Sequence, residues 1–598
     1  MALKLKSELH KLEKSSAESV ANTEQFGDFK KYMHVEREAD RQLKELLRNV
    51  NNQADKSLVL VCGSAGDGKS HLLSYLNNVD DEKLLEGYEV FNDATESEAP
   101  DKTNIQTLAD RLKEFSDDQI DLNDHTKKII GINLGTLANF VDSEFGRNFS
   151  KLKQYVEDHK IFTDFNEDFS YDPNSPFQSF NFSDYQIFSL GEDGITTDFV
   201  HAIFKKVFEP SDDNPFYCAY LEDRKDSTYS RNPILHNFEF LMNETVQNYI
   251  SQQLVEVVLT EKITVSARDL MDFIYSLLVH PKFQEDHILL DKKESDFFKN
   301  YLKYTTPMIL YNEPSSSKII NAIQRHDLFS TRTEEKDKNT LMFHVSDQVQ
   351  EELLKATEDT PYLKAISSNG IDTDRMLENN GKTTKTGEKD LRQLIYLFTQ
   401  YLNDMKKKRD GSGYSFYAQK IPYLKEFIDS LYFQESNQPK KLSELSKTVK
   451  NALNAWNGRY DENQMCIERI DTQMFVFGSM KVAADFDKKA VKKEGYIQRF
   501  SPNIIMRFKN DKSLDSHEYS VRIDYSLFVL LHKLHQGYEL TFDEYNKHRE
   551  FLSFVQQVID YGVDSTETAV ILRSEDQTFK GVLSMHEYDN FVFTGEQL

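Results

Sequence analysis

Short apolar runs alternate with helical patterns along the first third of the chain. Four runs have the length and β-branched content of buried strands, at residues 58–62, 90–93, 128–133 and 184–190. Between them, residues 71–76 and 104–115 place apolar side chains at helical spacing. Strands that alternate with helices predict an α/β fold, in which a parallel sheet is covered by helices on both faces.

The patterns farther along the chain predict additional domains. Helical spacing dominates after the α/β region, a polar glycine-containing stretch interrupts it, and strand-like segments mix with a helix near the C-terminus. The predicted regions are a helical leader (1–50), an α/β core with long insertions (51–245), a helical lid-like domain (246–366), a linker (367–390), a second helical domain (391–455) and an α+β domain (456–598).

Composition is that of a soluble globular protein. Of the 598 residues 39% are hydrophobic and 29% charged, and at roughly 150 residues per domain this length predicts three or four domains. No apolar run is as long as a membrane span, and the charged N-terminus does not resemble a secretory signal, so we expect a cytoplasmic protein with no membrane partner. The spacing of Cys62, Cys218 and Cys466 argues against a disulfide framework and a zinc site.

The chain is strongly acidic. Its formal net charge is −26 and its pI is near 5.1. Proteins gain affinity for DNA when Lys and Arg displace counterions from the DNA phosphates. Most of the surface of this acidic chain would instead repel those phosphates. If DNA is a partner, we expect other subunits of a complex to hold it.

The sequence after the first predicted strand has the pattern of a phosphate-binding loop, here called the phosphate loop (residues 63–70). Glycines let backbone N–H groups approach phosphate oxygens, Lys69 reaches the β- and γ-phosphates, and the Ser70 hydroxyl is the expected protein ligand of Mg²⁺. An accidental glycine turn is the alternative, but a strand precedes the loop and a helix follows it. The sequence therefore predicts a P-loop NTPase that binds ATP and Mg²⁺ through Gly63, Ser64, Ala65, Gly66, Asp67, Gly68, Lys69, Ser70 and His71.

Hydrolysis also needs a carboxylate in the magnesium shell and a group that orients the attacking water. The third predicted strand ends in Asn133, an amide that can orient a water or sense the γ-phosphate but cannot act as a base. The nearest acidic candidates, Asp93 and Glu96, lie in the segment 92–96 that ends the second predicted strand. We assign Asp93 to the metal shell and Glu96 to water activation, with a capping or turn role as the alternative for both.

An arginine can stabilise the charge of the transferring phosphate. Arg268, in a predicted helix of the lid-like domain, is the best candidate in this chain, and Arg231 and Arg325 are weaker ones. A surface salt bridge is the alternative role for each of the three. A neighbouring subunit could supply such an arginine instead, which leaves a homo-oligomer open.

The chain resembles the DptF (DndF) family, the ATPase component of DNA phosphorothioation-dependent restriction systems. The phosphate loop in its long form through Leu73 and the Asn-Asp-Ala-Thr-Glu segment at 92–96 carry most of the resemblance. The matching stretches lie mainly in the N-terminal half, at residues 14–18, 62–73, 92–97, 133–135, 231–235 and 266–269.

The resemblance implies an ATPase with a P-loop NTPase sheet of the AAA-like, ASCE type. It also implies a role in antiviral defence, in which the chain acts as motor or switch with DptG and DptH against DNA that lacks the phosphorothioate modification. The alternative is a nucleotide-dependent scaffold or signalling switch that hydrolyses little ATP, and Asn133 in place of an acid keeps that alternative open.

Overall fold

The computed structural model has two compact units. The first comprises Met1–Ser189, Ile195–Tyr417 and Gln498–Phe500, and the second comprises Leu190–Gly194, Ala418–Ile497 and Ser501–Leu598. The structure describes residues 3–13, 27–53, 56–64, 66–94, 103–122, 125–162, 171–226, 229–283, 301, 303–311, 313–325, 361–368, 421–456, 464–469, 474–480, 482–486, 495–510, 518–574, 577–586 and 590–597.

A four-stranded parallel sheet organises the first unit. Its strands are β1 (Ser57–Cys62), β2 (Tyr88–Phe91), β3 (Lys127–Ile132) and β4 (Phe177–Asn181), and their order across the sheet is β2-β3-β1-β4. In the register of the sheet, Val59 of β1 lies beside Ile129 of β3 and Gln178 of β4. All six residues of β1 are buried, as its apolar run predicts for a strand with a neighbour on each side.

Helices cover both faces of this sheet. Leu58 and Leu60 of β1 belong to one apolar cluster, which also includes Leu108 and Leu137 from helices after β2 and β3. The alternate β1 side chains, such as Val59, belong to a second cluster on the opposite face. The predicted α/β class with a covered parallel sheet is therefore confirmed for the first unit.

The described helices of the first unit extend from residue 4 to residue 368. They are α1 (Lys4–His10), α2 (Asp28–Met33), α3 (Glu38–Gln53), α4 (Lys69–Asn78), α5 (Asn104–Arg111), α6 (Leu134–Val141), α7 (Ser150–Asp158), α8 (Asp198–Phe208), α9 (Pro215–Asp223), α10 (Pro233–Leu241), α11 (Glu244–Glu261), α12 (Ala267–Leu278), α13 (Thr306–Tyr311), α14 (Lys318–Arg325) and α15 (Pro361–Ser368). The remaining strands that contribute residues to this unit are β5 (Tyr185–Gly191), β6 (Gly194–Thr196) and β10 (Ile497–Arg499).

The second unit combines antiparallel sheets with helices. Its described elements are α16 (Leu424–Glu435), α17 (Ser443–Ala455), β7 (Gln464–Arg469), β8 (Met474–Met480), β9 (Val482–Phe486), β11 (Ile504–Asn510), β12 (Glu518–Ile523), α18 (Tyr525–His535), α19 (Phe542–Lys547), α20 (Arg549–Gly562), β13 (Val563–Ser574), β14 (Gln577–His586) and β15 (Asn590–Gln597). The described antiparallel sheets have the orders β12-β11-β9 and β15-β14-β13-β8-β7.

Some sequence predictions lie outside the described residues. They include most of the linker at 367–390, whose first two residues still belong to α15, and residues 391–420 of the predicted second helical domain. Within the described ranges, no helix is both long and apolar enough to cross a bilayer.

Candidate functional site

The phosphate loop lies between the carboxyl end of β1 and the amino end of α4. Gly63, Gly66 and Gly68 have φ angles of 150°, 90° and 101°, a region that favours glycine. A Cβ at Gly63 would lie 2.9 Å from the Asp67 carboxylate, so the path of the loop requires its glycine. Ala65 is outside the described residues.

The side chain of Lys69 folds back over the loop. Its Nζ donates to the carbonyl oxygens of Gly63 at 2.8 Å and of Ser64 at 2.7 Å. Burial lowers the pKa of Lys69, while the nearby carboxylates of Asp67 and Asp93 oppose that shift. The ammonium has three N–H donors, so its position leaves a donor for an anion above the loop.

Ser70, in the first turn of α4, contacts the segment that follows β2. Its Oγ donates to the backbone carbonyl of Asn92 at 3.0 Å. Asp93 is the next residue, and its own carbonyl accepts from Arg111 at 3.2 Å. The structure thus places Ser70 beside the segment that carries Asp93. Glu96 lies outside the described residues.

The carboxylate of Asp67 lies inside the loop. Its Oδ2 accepts from the Ser64 N–H at 2.6 Å and from the Ser183 hydroxyl at 3.0 Å, and the residue is only 8% exposed. Burial raises the pKa of Asp67, opposed by those two hydrogen bonds and by the charges of Lys69 and Arg37. Asp67 therefore links its own part of the loop, by hydrogen bonds, to Ser64 at the start of the loop and to Ser183 in the segment after β4.

Arg37, which the sequence analysis did not identify, supports the loop as well. Its guanidinium donates to the Asp67 carbonyl at 3.0 Å and lies 5.2 Å from the Phe182 ring centre and 5.3 Å from that of Phe199. The residue lies in the predicted leader, where an arginine in a charged helical pattern gives no signal of such a contact.

His71 packs against another histidine. His34 Nδ1 and His71 Nε2 are 3.1 Å apart, and the His34 ring also stacks on Tyr75 at 3.9 Å. Burial lowers the pKa of His71 to about 3, so its ring is neutral at physiological pH. Across the described part of the chain, no cluster of three or more His, Cys, Asp or Glu side chains is arranged to hold a metal.

The amino end of α12 contacts the loop. A Cβ at Gly66 would lie 2.8 Å from Ser266 Oγ and 3.6 Å from Arg268 Cβ. Ser266 caps α12 together with Asp269, whose carboxylate also pairs with Lys318 at 2.6 Å. The structure therefore brings the predicted Arg268 next to the loop.

Asn133 begins α6 directly after β3. Its side-chain oxygen accepts from the Thr136 N–H at 2.7 Å and so caps the helix. The cap explains why an amide suits this position, whether or not the residue also contacts a nucleotide. Asn133 stands at the same edge of the sheet as the phosphate loop, since β1 and β3 are parallel neighbours.

Comparisons of the chain with protein-family models, with curated proteins and with solved structures found no match in any of the three.

Proposed function

We propose that the phosphate loop binds ATP with Mg²⁺ and that the chain hydrolyses the bound nucleotide. The observation that carries this proposal is a glycine loop with positive φ angles between a central parallel strand and a helix. Backbone N–H groups and the positive end of the helix dipole favour an anion at such a position. Lys69 adds a cation above the loop, so the triphosphate is the chemical group that fits best.

The oxygen atoms around Ser70 fit a magnesium ion. Mg²⁺ prefers oxygen ligands, and the Ser70 hydroxyl lies next to the Asn92–Asp93 segment. The Asn92 side-chain oxygen is buried and has no hydrogen-bond partner among the described residues. Ser70 and Asp93 would hold the ion, which would neutralise charge on the β- and γ-phosphates.

The order of the strands supports the AAA-like, ASCE type of P-loop NTPase. In that type an additional strand separates the strand before the loop from the strand that leads to the metal-binding carboxylate. Here β3 lies between β1 and β2, and Asp93 follows β2. Asn133 directly follows the intervening strand, where an amide would face the γ-phosphate.

The remaining roles follow from position and chemistry. Glu96 would orient the attacking water, because it follows the metal-shell segment and carries a carboxylate. Arg268 would stabilise charge on the transferring phosphate, because its Cβ lies beside Gly66.

Lys69→Ala tests this proposal. We expect the variant to bind Mg²⁺-ATP at least about tenfold more weakly and to turn it over roughly 100-fold more slowly. The matched control is Lys153→Ala, which removes an exposed lysine that pairs with Asp142 at 2.9 Å in the same unit. Normal binding and turnover in Lys69→Ala would overturn the proposal.

The carboxylate roles require separate variants. Asp93→Asn should raise the Mg²⁺ concentration needed for half-maximal turnover, whereas Glu96→Gln should reduce turnover and leave that concentration unchanged. Near-normal rates in both variants would remove the assignment. No measurable turnover in the wild-type chain, alone or with DNA and partner subunits, would favour the nucleotide-dependent scaffold.

We further propose that this ATPase serves a phosphorothioation-dependent restriction complex with subunits of the DptG and DptH type. The resemblance to the DptF family supports this role, and the net charge of −26 suits a subunit whose partners hold the DNA. Cells that carry the whole system should restrict unmodified DNA with the wild-type chain and lose restriction with Lys69→Ala. Undiminished restriction by that variant would contradict a nucleotide-driven role.

A further inference from the structure

A tripeptide from far along the chain belongs to the first unit. Gln498–Phe500 lies there, although the residues before and after it belong to the second unit. Its backbone and side chains are fixed at two points besides Arg499. Gln498 Oε1 accepts from the Glu38 N–H at 3.2 Å, and the Phe500 carbonyl accepts from Gln186 at 3.3 Å. The segment is therefore a fixed part of the unit that contains the phosphate loop.

Arg499 forms a buried ion pair. Its guanidinium lies 3.0 Å from Asp184 Oδ2, and the two side chains are only 15% and 3% exposed. The other oxygen of Asp184 accepts from the Asn181 side chain at 2.8 Å. Removal of the arginine would leave a buried carboxylate without its cation, which is strongly unfavourable.

Asp184 belongs to the segment that supports the phosphate loop. It ends the 3-10 turn Phe182–Asp184, whose middle residue is Ser183. The Ser183 hydroxyl donates to Asp67 inside the loop, and the Phe182 Cβ lies 3.0 Å from where a Cβ at Gly63 would be. A shift of this turn would thus displace the loop at two points.

Gln498 contacts the other support of the loop. Glu38, whose N–H it binds, is the first residue of α3. The residue before it is Arg37, which donates to the Asp67 carbonyl. The tripeptide therefore contacts both of the segments that hold Asp67. Arg499 pairs with the side chain of Asp184 in one segment, and Gln498 accepts from the backbone of Glu38 in the other.

We propose that Gln498–Phe500 positions the phosphate loop for nucleoside triphosphate binding, with Arg499 as the principal positioning residue. This inference rests on the proposed ATP binding. Arg499 acts through Asp184 and Ser183, and loss of its charge lets the 3-10 turn shift and the loop lose the geometry that presents its N–H groups to phosphate. Binding of the nucleotide then has to restore that geometry, which weakens the observed affinity.

The test measures the dissociation constant for ATPγS with Mg²⁺ by calorimetry, in the full chain, well below the unfolding temperature. We expect Arg499→Ala to raise this constant about tenfold or more and Arg499→Lys to restore part of the affinity. The matched control is Arg48→Ala, because Arg48 forms a comparable ion pair with Glu82 at 2.8 Å in the same unit but on its surface. That control should bind like the wild type.

Different outcomes separate this inference from the function on which it rests. A lower unfolding temperature of Arg499→Ala with an unchanged dissociation constant would show a merely structural ion pair and overturn the inference. If Arg499→Ala does not fold, Ser183→Ala serves instead, because it removes the hydroxyl that donates to Asp67 and accepts from the Ser64 N–H at 3.2 Å. Affinity equal to wild type would again overturn the inference. If the wild-type chain itself fails to bind ATPγS, the proposed function falls.

Discussion

Asp67 is a carboxylate inside the loop that we propose binds a triphosphate. The Ser64 N–H and the Ser183 hydroxyl both donate to it, yet burial dominates and raises its pKa. A folded chain that holds this proton more tightly than the unfolded chain loses stability as the pH rises. At neutral pH Asp67 therefore costs stability, and we interpret it as a residue retained for the shape of the loop.

Asp67→Asn should reveal this cost. The asparagine oxygen can accept the same two hydrogen bonds but does not titrate. The free energy of unfolding of the variant should increase relative to that of the wild type as the pH rises from about 3.8, the ordinary carboxyl pKa. The difference between the two free energies should level off above the raised pKa of Asp67. Denaturant titrations across this range measure the difference, and a constant offset at every pH would contradict the expectation.

Asp117 provides a control of opposite sign. It is partly buried, which acts to raise its pKa, but the backbone N–H groups of Ser150 and Lys151 at the start of α7 outweigh burial and lower it. The charged form is thus favoured in the folded state. Asp117→Asn should lose stability relative to the wild type as the pH rises through the ordinary carboxyl pKa.

At the scale of elements, the cap of α6 decides how Asn133 should be tested. Asn133→Ala would remove the cap on Thr136 and destabilise the helix by about 1 kcal/mol, so any loss of activity would be ambiguous. Asn133→Asp keeps an oxygen that can cap but loses the amide N–H donors. If Asn133 senses the γ-phosphate, this variant should keep its unfolding temperature and lose ATP turnover roughly tenfold or more.

The measurement pairs thermal unfolding with turnover in both variants. Turnover at the wild-type level in Asn133→Asp would show that the residue only caps α6. The result also bears on the scaffold alternative, since an amide without a role in hydrolysis leaves Asp93 and Glu96 as the groups that must supply it.

Sequence patterns predicted the elements around the loop well, because each is encoded locally. The buried run at 58–62 corresponds to β1, and the predicted helix that carries Arg268 corresponds to α12. The predicted helix at 104–115 is shorter in the structure, where α5 ends at Arg111 and a 3-10 turn follows. Lys69 and Ser70 lie at the start of the helix that follows β1, because the motif is continuous in sequence, and their roles stay predictions.

The supports of the loop could not be predicted in this way. Arg37 and Arg499 reach the site through tertiary contacts, and neither lies in a motif or a periodic position that marks such a role. Arg499 is more than 400 residues from Lys69 along the chain. The capping function of Asn133 was also missed, although an Asn directly before a helical pattern is a signal of a helix start.

At the scale of the whole molecule, buried histidines should make the free energy of unfolding decrease at acidic pH. Burial lowers the pKa of His236 and of His280, in the first unit, and of His532, in the second, to about 4 each. The folded chain keeps these rings neutral, while the unfolded chain binds protons below the ordinary histidine value of 6.5. The contribution of these histidines to the free energy of unfolding is thus fully present above pH 6.5 and declines as the pH falls toward 4.

His236 is the clearest single test of this dependence. It is 1% exposed, and its Nδ1 lies 2.7 Å from the Tyr301 hydroxyl. His236→Gln removes the titrating ring, so the slope of the unfolding free energy against pH in the first unit should fall by up to about 1.4 kcal/mol per pH unit between pH 6.5 and 4. His532→Gln should do the same for the second unit.

The single tryptophan allows the two units to be followed separately. Trp456 is buried within the second unit, so its fluorescence should report the unfolding of that unit, whereas circular dichroism reports both. His532→Gln should therefore flatten the pH dependence of the fluorescence transition, and His236→Gln only that of a transition visible by circular dichroism. A fluorescence transition that responds to His236→Gln as strongly as to His532→Gln would contradict this separation, because it would mean that the two units unfold as one cooperative body.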